Sequence, residues 1–486
     1  RDANGRGVLA SLTRISEVKG YTVDDNDTIP CEGVLYYRGY DVRDLVKGSL
    51  EEKRFGFEET VYLLLFGQLP TRMQLDEFCL MLNDYRHLPK NFVRDVVMKA
   101  PTGDMMNTLA RSLLTLYCYD SKANDISMAN VLRQCLQLTV NTPQLAIYSY
   151  LAYRSTQGGD LFLHKPQTNL SMAENILYLL RENKQFTELE ARALDAALIL
   201  HADHGSNNST FTNHVVSSTG TDTYSAMAAS LCALKGPRHG GANIKVMEMM
   251  QDIREHVPDC ADKSALADYL SRIINKEAFD RKGLVYGMGH AVYTISDPRE
   301  VILKQRARHL AYDKGFEEEY NMLCSIERLA PGIFAEEKGS TKPVCANVDL
   351  FSGLIYNMLG ISEDIYTPLF AIARVPGWCA HRGEEVVFAM DAISDPVSLY
   401  EPVYGEGGDA MYVMDQLGTS DSEDTWVSRI QFRDTVQALT PRQRRIMELR
   451  YLAGKTQMEV SAEVGISQAQ VSRLEKGAIN TIKKNI

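Results

Sequence analysis

The sequence predicts a mainly α-helical protein, and three observations lead there. From Asp41 onward, segment after segment places apolar residues at three- and four-residue spacing, the period of one helix face. Helical runs do not alternate with strand-like runs as a parallel sheet requires, and no block of fixed length repeats. The charge is divided as well: residues 383–428 carry 11 acidic side chains and no Lys or Arg, whereas residues 429–486 carry 11 basic against 5 acidic. That reversal marks a composition boundary and suits the last segment to a polyanionic partner.

Taken in order, residues 1–40 read as irregular, with Gly- and Asp-rich turns and an aromatic Tyr36-Tyr37-Arg38-Gly39-Tyr40 stretch in which short strands or a hairpin can form. Helical spacing then predicts helices over 57–66, 72–86, 91–99, 105–117, 127–138, 143–153, 170–183, 187–203, 224–234, 243–256 and 263–276. Pro70, Pro89, Pro101 and Pro143 punctuate them, so a break is expected at Pro143, because proline has no N–H for the helix ladder.

Composition sets the outer limits. With 45% apolar and 24% charged residues the chain suits a globular protein of two or more domains, and disorder is excluded as a general description. Apolar runs such as 61–66 fall far short of the roughly 18 residues of a membrane span. The 9 cysteines are scattered without a Cys-x-x-Cys pair, which reads as reduced thiols in a cytoplasm. The first residues carry no apolar signal core, so a trimmed rather than a secreted N-terminus is expected.

Three stretches carry chemistry-bearing residues in loops. In Leu234-Lys-Gly-Pro-Arg-His239-Gly-Gly-Ala-Asn243, Gly-Pro ends one helix and Gly-Gly lets the backbone come close to a ligand, although a plain turn with an exposed histidine satisfies the same residues. Residues 285–299 run Val285-Tyr-Gly287-Met288-Gly289-His290 and end in Ser-Asp-Pro-Arg299. Residues 346–353 contain Asn347-Val-Asp349. A fourth stretch, His201-Ala-Asp203-His204, sets two histidines three apart. They could share a metal, yet no carboxylate or cysteine ligand stands at matching spacing; inward packing of His201 with local hydrogen bonding of His204 is the other reading.

In that order and at that separation, the four stretches resemble the citrate synthase family over about residues 1–382. The resemblance implies multi-helix large and small domains, the small one roughly 240–345, and a homodimer in the cytoplasm. It implies condensation of acetyl-CoA with oxaloacetate, without a cofactor or metal, acetyl-CoA being a substrate. By the same resemblance His239 stabilises the enolate, Asp349 is the base and His290 protonates the ketone oxygen. His204, Arg299 and Arg374 would hold the dicarboxylate, and Val285, Gly287, Met288 and Gly289 would lie against CoA. Propionyl-CoA, the substrate of 2-methylcitrate synthases, is left open. Two departures stand out: Gly205 follows His204 where many family members carry glutamate, and the family's C-terminal tail, with its arginine for the partner's pocket, is not recognisable after Arg382. Impaired activity is therefore expected.

From about residue 383 the chain resembles the C-terminal part of a bacterial sporulation-type RNA polymerase sigma factor, an acidic linker over 383–428 leading to a helix-turn-helix module over 429–486. Thr440-Pro441 suits a helix start, 457–464 a short helix, Gly465 the sharp turn and Ser467 the cap of a helix over 468–476. Gln468, Gln470, Ser472 and Arg473 would then face the major groove, with Lys476, Arg442, Arg444, Arg445 and Lys455 on phosphates and RNA polymerase as a partner. Enzyme, DNA-binding protein on a helical platform, and accidental fusion of two genes are the competing readings.

Overall fold

The computed structural model describes residues 13–24, 27–236, 239–339, 343–393, 402–404, 411–412, 440–452 and 455–485. The chain divides into two compact units, residues 1–394 and 395–486.

The first unit opens with an antiparallel sheet, β1 (Ser16–Asp24), β2 (Asp27–Tyr37) and β3 (Tyr40–Asp41), in that order. Tyr37 is fully buried and its hydroxyl donates to the carbonyls of Ile199 and Asp203, which ties the sheet to the turn that carries His204. Helices follow: α1 (Val42–Glu51), α2 (Phe57–Phe66), α3 (Arg72–Tyr85), α4 (Met105–Thr115), α5 (Met128–Thr156), α6 (Met172–Leu180) and α7 (Glu188–His201). Next come α8 (Asn208–Ser217), α9 (Thr223–Leu234), α10 (Ala242–His256), α11 (Lys263–Ile274), α12 (Pro298–Lys314), α13 (Glu317–Lys338), α14 (Asp349–Met358) and α15 (Tyr366–Ile393). Sequence signals fix several of these starts. Thr71, Ser171 and Thr187 each close a capping box with Gln74, Glu174 and Glu190 three residues on, satisfying two orphan N–H groups apiece.

Two expected elements differ. Residues 91–99 form only a π-helical turn, Val93–Val97, and the break at Pro143 does not occur, because α5 runs through that proline without interruption. The reason is tertiary: α5 is buried on nearly all sides and packs against α3, α4, α6 and α15, so side-chain burial outweighs one lost backbone bond. Asn141 and Gln144 beside the proline donate to the carbonyls of Tyr85 and Arg86, pinning the stretch from outside the helix.

The charge break at residue 383 falls inside α15, whose backbone continues to Ile393. Glu384 accepts from the Thr13 hydroxyl at 2.8 Å and from the Arg14 N–H at 3.0 Å, so this residue belongs to the first unit. Beyond Ile393 the acidic linker lies outside the described residues, apart from a short antiparallel pair, β4 (Pro402–Tyr404) and β5 (Met411–Tyr412).

The second unit contains α16 (Pro441–Met447), α17 (Gln457–Val464) and α18 (Gln468–Asn485), the last nine residues longer at its C-terminal end than expected. Gly465 adopts φ +69°, the left-handed turn that glycine tolerates, and the Ser461 hydroxyl donates to the Ile466 carbonyl across it. Ile446, Leu449, Val460 and Val471 form its own small core.

Candidate active site

Helix ends and loops bring most of the reactive side chains together in the first unit, with Arg374 supplied from within α15. A cavity of about 190 Å³ is lined by His204, Asn207, His239, His290, Arg299, Asn347, Asp349, Phe370 and Arg374, among others. All six residues that the sequence assigns to catalysis and dicarboxylate binding are in that set.

His239 follows α9, in a loop whose Pro237 and Arg238 lie outside the described residues. Gly240 next to it passes so close to the Leu234 carbonyl that a Cβ there would lie 2.2 Å away, and Gly241 at φ +86° starts α10. The Ser209 N–H, in the first turn of α8, donates to His239 Nε2 at 3.2 Å. That bond makes Nε2 the acceptor and puts the ring proton on Nδ1. Burial, and then the charge of Arg374, lowers the pKa of His239 to about 4. The imidazole is thus neutral near pH 7, and the helix start that serves it is that of α8 rather than of the helix its own loop precedes.

His290 is held in the same manner. Its Nδ1 accepts the N–H groups of Val292 and Tyr293 at 3.0 and 3.1 Å, so its proton sits on Nε2. Burial and Arg299 lower its pKa to about 4. The His204 ring stands edge-on to His290 with centroids 5.1 Å apart, and its Nε2 lies 3.3 Å from the Tyr293 hydroxyl. His201 turns away: its Nδ1 donates to the Ala197 carbonyl and its ring packs against Phe370 with centroids 4.8 Å apart. The two histidines therefore do not share a face.

Asp349 is the first residue of α14. Burial raises its carboxyl from 3.8 to about 6, with Arg299 opposing and Asp297 reinforcing the rise. Arg299 is buried and paired in parallel with Asp297, Nε to Oδ1 at 3.0 Å and Nη2 to Oδ2 at 2.7 Å. Arg374, on α15, donates from Nε to the His201 carbonyl at 2.6 Å and lies 4.7 Å from the centre of the Phe370 ring. Its burial lowers its pKa to about 10, which still leaves it cationic.

The arrangement provides a carboxyl group with a pKa close to neutral, two neutral imidazoles with opposite tautomers and two guanidinium groups. Such a set suits removal of a weakly acidic proton beside a carbonyl while an anionic co-substrate is held.

A protein-family model described as "Citrate synthase, C-terminal domain" matches residues 4–394, about four fifths of the chain. The chain belongs to the citrate synthase family. A citrate synthase of Synechocystis is 33% identical over 397 residues, covering 81% of this chain and 89% of that protein. A 2-methylcitrate synthase of Corynebacterium glutamicum is 32% identical over 401 residues, covering 82% and 94%. Among solved structures, the citrate synthase of the archaeon Thermoplasma acidophilum in ternary complex with carboxymethyl coenzyme A and oxaloacetate aligns with TM-score 0.64 and 26% identity, covering 84% of this chain and 96% of that one. A second model, described as "Sigma-70, region 4", matches residues 436–484. The citrate synthase match extends past Arg382 to residue 394, in agreement with the extent of α15.

Four residues attributed to CoA by resemblance do not line the cavity. Val285 is 2% exposed, and Gly287, Met288 and Gly289 run alongside residues 345–347, with Gly289 N–H donating to the Cys345 carbonyl at 2.7 Å. Asn207 and Asn347 line the cavity without having been singled out for it. Asn207 had a readable signal: an Asn with Thr210 three residues on is an N-cap pattern, and its Oδ1 accepts the Thr210 N–H at 3.1 Å.

In the second unit Gln468, Gln470, Arg473 and Lys476 are exposed on α18 and Ser472 is half-buried. Gln470 Oε1 accepts the Ser467 N–H at 3.2 Å, so this side chain is part of the helix cap. Lys455 and Arg445, expected on phosphates, both pair with Glu463. No helix among the described residues is long and apolar enough to cross a membrane.

Proposed function

We propose that the cavity joins the methyl carbon of acetyl-CoA to the ketone carbon of oxaloacetate, and that water then cleaves the citryl thioester to give citrate and CoA. The supporting observation is the convergence of His239, His290, Asp349, Arg299 and Arg374 on one cavity. On this reading Asp349 takes the methyl proton while His239 Nδ1–H donates to the thioester oxygen, so the developing negative charge meets a donor already in place. His290 Nε2–H faces the ketone oxygen and supplies the proton as the carbon–carbon bond forms. Arg299, Arg374 and His204 hold the carboxylates, guanidinium being the group suited to planar two-point recognition. The glycine loop Val285, Gly287, Met288 and Gly289 lies against CoA, and residues 240–345 form the smaller lobe. Leu114 of α4 with Phe211 and Val215 of α8 are exposed apolar side chains, 39 to 51% accessible, which supports a second copy of the chain as partner.

Release of CoA thiol from acetyl-CoA and oxaloacetate tests the reading; no release above the Asp349→Ala background overturns it. The 2-methylcitrate synthase relative makes propionyl-CoA the alternative acyl donor, decided by comparing kcat/KM for the two thioesters. Because Asp349 must be ionised to act, kcat/KM is expected to fall as pH drops through about 6, while His239 and His290, at about 4, stay neutral over that limb. A pH–rate series on wild type checks this; a limb near 4 would point to a different base.

We propose further that the second unit binds duplex DNA through α18, with Gln468, Gln470, Ser472 and Arg473 towards base edges and Lys476 on phosphate, and that RNA polymerase is its partner. The match to Sigma-70 region 4 and the exposure of that face support this. Arg473→Ala is expected to weaken a specific duplex about tenfold. Lys476→Ala should weaken all sequences alike and lower the salt slope by about one. Gel shifts over a salt series distinguish the two.

A further inference from the structure

We propose that Asn347 is a positioning residue that fixes the base Asp349 relative to His290; this rests on the reading of the cavity given above. Its side-chain amide uses both ends. Nδ2 donates to the Gly289 carbonyl at 2.8 Å, one residue before His290, and Oδ1 accepts the backbone N–H of Asp349 at 3.0 Å. One planar group therefore joins the segment that carries the histidine to the residue that carries the carboxylate.

The surroundings leave little play in either direction. The Asn347 N–H donates to the Gly287 carbonyl at 2.8 Å, and Met288 bridges to Ala346. A Cβ at Gly287 would stand 2.7 Å from Leu350 Cδ1 and 2.9 Å from its Cα, so the loop rests directly on the first turn of α14. The Val348 N–H in turn donates to Asp297 Oδ2 at 3.3 Å, the same carboxylate that grips Arg299. The Asn347 amide is the link that joins Asp349 itself to the residue before His290 through a side chain, so a substitution can cut it without altering the backbone path.

A plain helix cap is the competing role, and aspartate separates the two. Asn347→Asp keeps an acceptor for the Asp349 N–H and is as good a cap, but it cannot donate to the Gly289 carbonyl. Asn347→Ala loses both bonds. In both variants kcat is expected to fall about tenfold to a hundredfold, the cost of a misplacement on the order of 1 Å. The affinity for oxaloacetate should stay within about twofold and the primary isotope effect with methyl-deuterated acetyl-CoA should rise, since proton removal alone is slowed. Crystal structures of the two variants should show the Asp349 carboxyl displaced against the His290 ring, with the Asp297–Arg299 pair intact. Activity within about twofold of wild type, a loss carried entirely by oxaloacetate affinity, or an unmoved Asp349 in both crystals overturns the proposal. Should wild type itself release no thiol, the enzymatic reading fails separately, and the crystallographic comparison still decides whether Asn347 sets the carboxyl's place.

Discussion

Asp349→Asn is expected to lower kcat by about 10²- to 10⁴-fold and at the same time to make the first unit more stable. The first effect follows because the amide fills the same space but cannot take a proton. The second follows from the direction of the pKa shift. In the folded chain burial raises this carboxyl from 3.8 to about 6, so the ionised form is disfavoured by folding. The penalty is absent below 3.8, grows between 3.8 and 6, and is complete above 6. Asparagine removes it, for a gain near neutral pH of at most about 3 kcal/mol at 1.36 kcal/mol per pKa unit. Denaturant midpoints near pH 7.5 and near pH 4 check the sign, the gain being present at the first and nearly gone at the second. A variant that is both slower and less stable would mean that the carboxylate has a structural partner and is not poised as a base.

The site was more legible in the sequence than the fold that carries it, for a physical reason. A loop histidine flanked by glycines, or Asn-Val-Asp before an apolar run, announces itself because loops need special residues to hold special conformations. Helix boundaries depend on what packs against them. Pro143 reads as a break in any local window, yet α5 passes through it because neighbours on nearly every side hold it. The opposite error affects α8: Asn208-Ser-Thr-Phe-Thr-Asn-His has almost no apolar period, and only tertiary contacts bury Ser209, Thr210, Asn213 and His214. That polar helix supplies the N–H that sets the tautomer of His239, so the residue was readable and its support was not. The same holds for His381, an ordinary histidine in sequence. In the structure it is fully buried, with Nε2 3.2 Å from Asp203 Oδ1 and Nδ1 3.1 Å from His214 Nε2, joining α15, the His204 turn and α8. The composition break at 383 lies a few helical turns before the end of the family match at 394, because charge reports what faces solvent and a helix can continue through a change of surface.

Asp297→Ala is expected to be the most damaging single change to stability in the cavity wall, about 3–5 kcal/mol, because it leaves the Arg299 guanidinium charged and buried without its partner. Arg299 does not escape by losing its proton: even with burial opposing its charge and no partner, a guanidinium stays protonated near neutral pH, as Arg374 does at about 10. Little of the pair is open to solvent, with Arg299 4% exposed and Asp297 fully buried. The Val348 N–H loses its acceptor as well, which loosens the start of α14 directly before the base. Activity should therefore fall further than the loss of stability accounts for at temperatures where the variant remains folded. The double variant Asp297→Ala with Arg299→Met separates the two contributions. Once both charges are gone, the buried pair is replaced by apolar volume, and stability should recover most of what the single variant lost. Thiol release should not recover, because one of the two guanidinium groups that would meet the dicarboxylate is missing. Denaturation curves and thiol release for the single and double variants, compared in one buffer, check both statements. If removing Arg299 restores neither stability nor activity, the defect lies in the backbone near Asp297 and not in the unpaired charge.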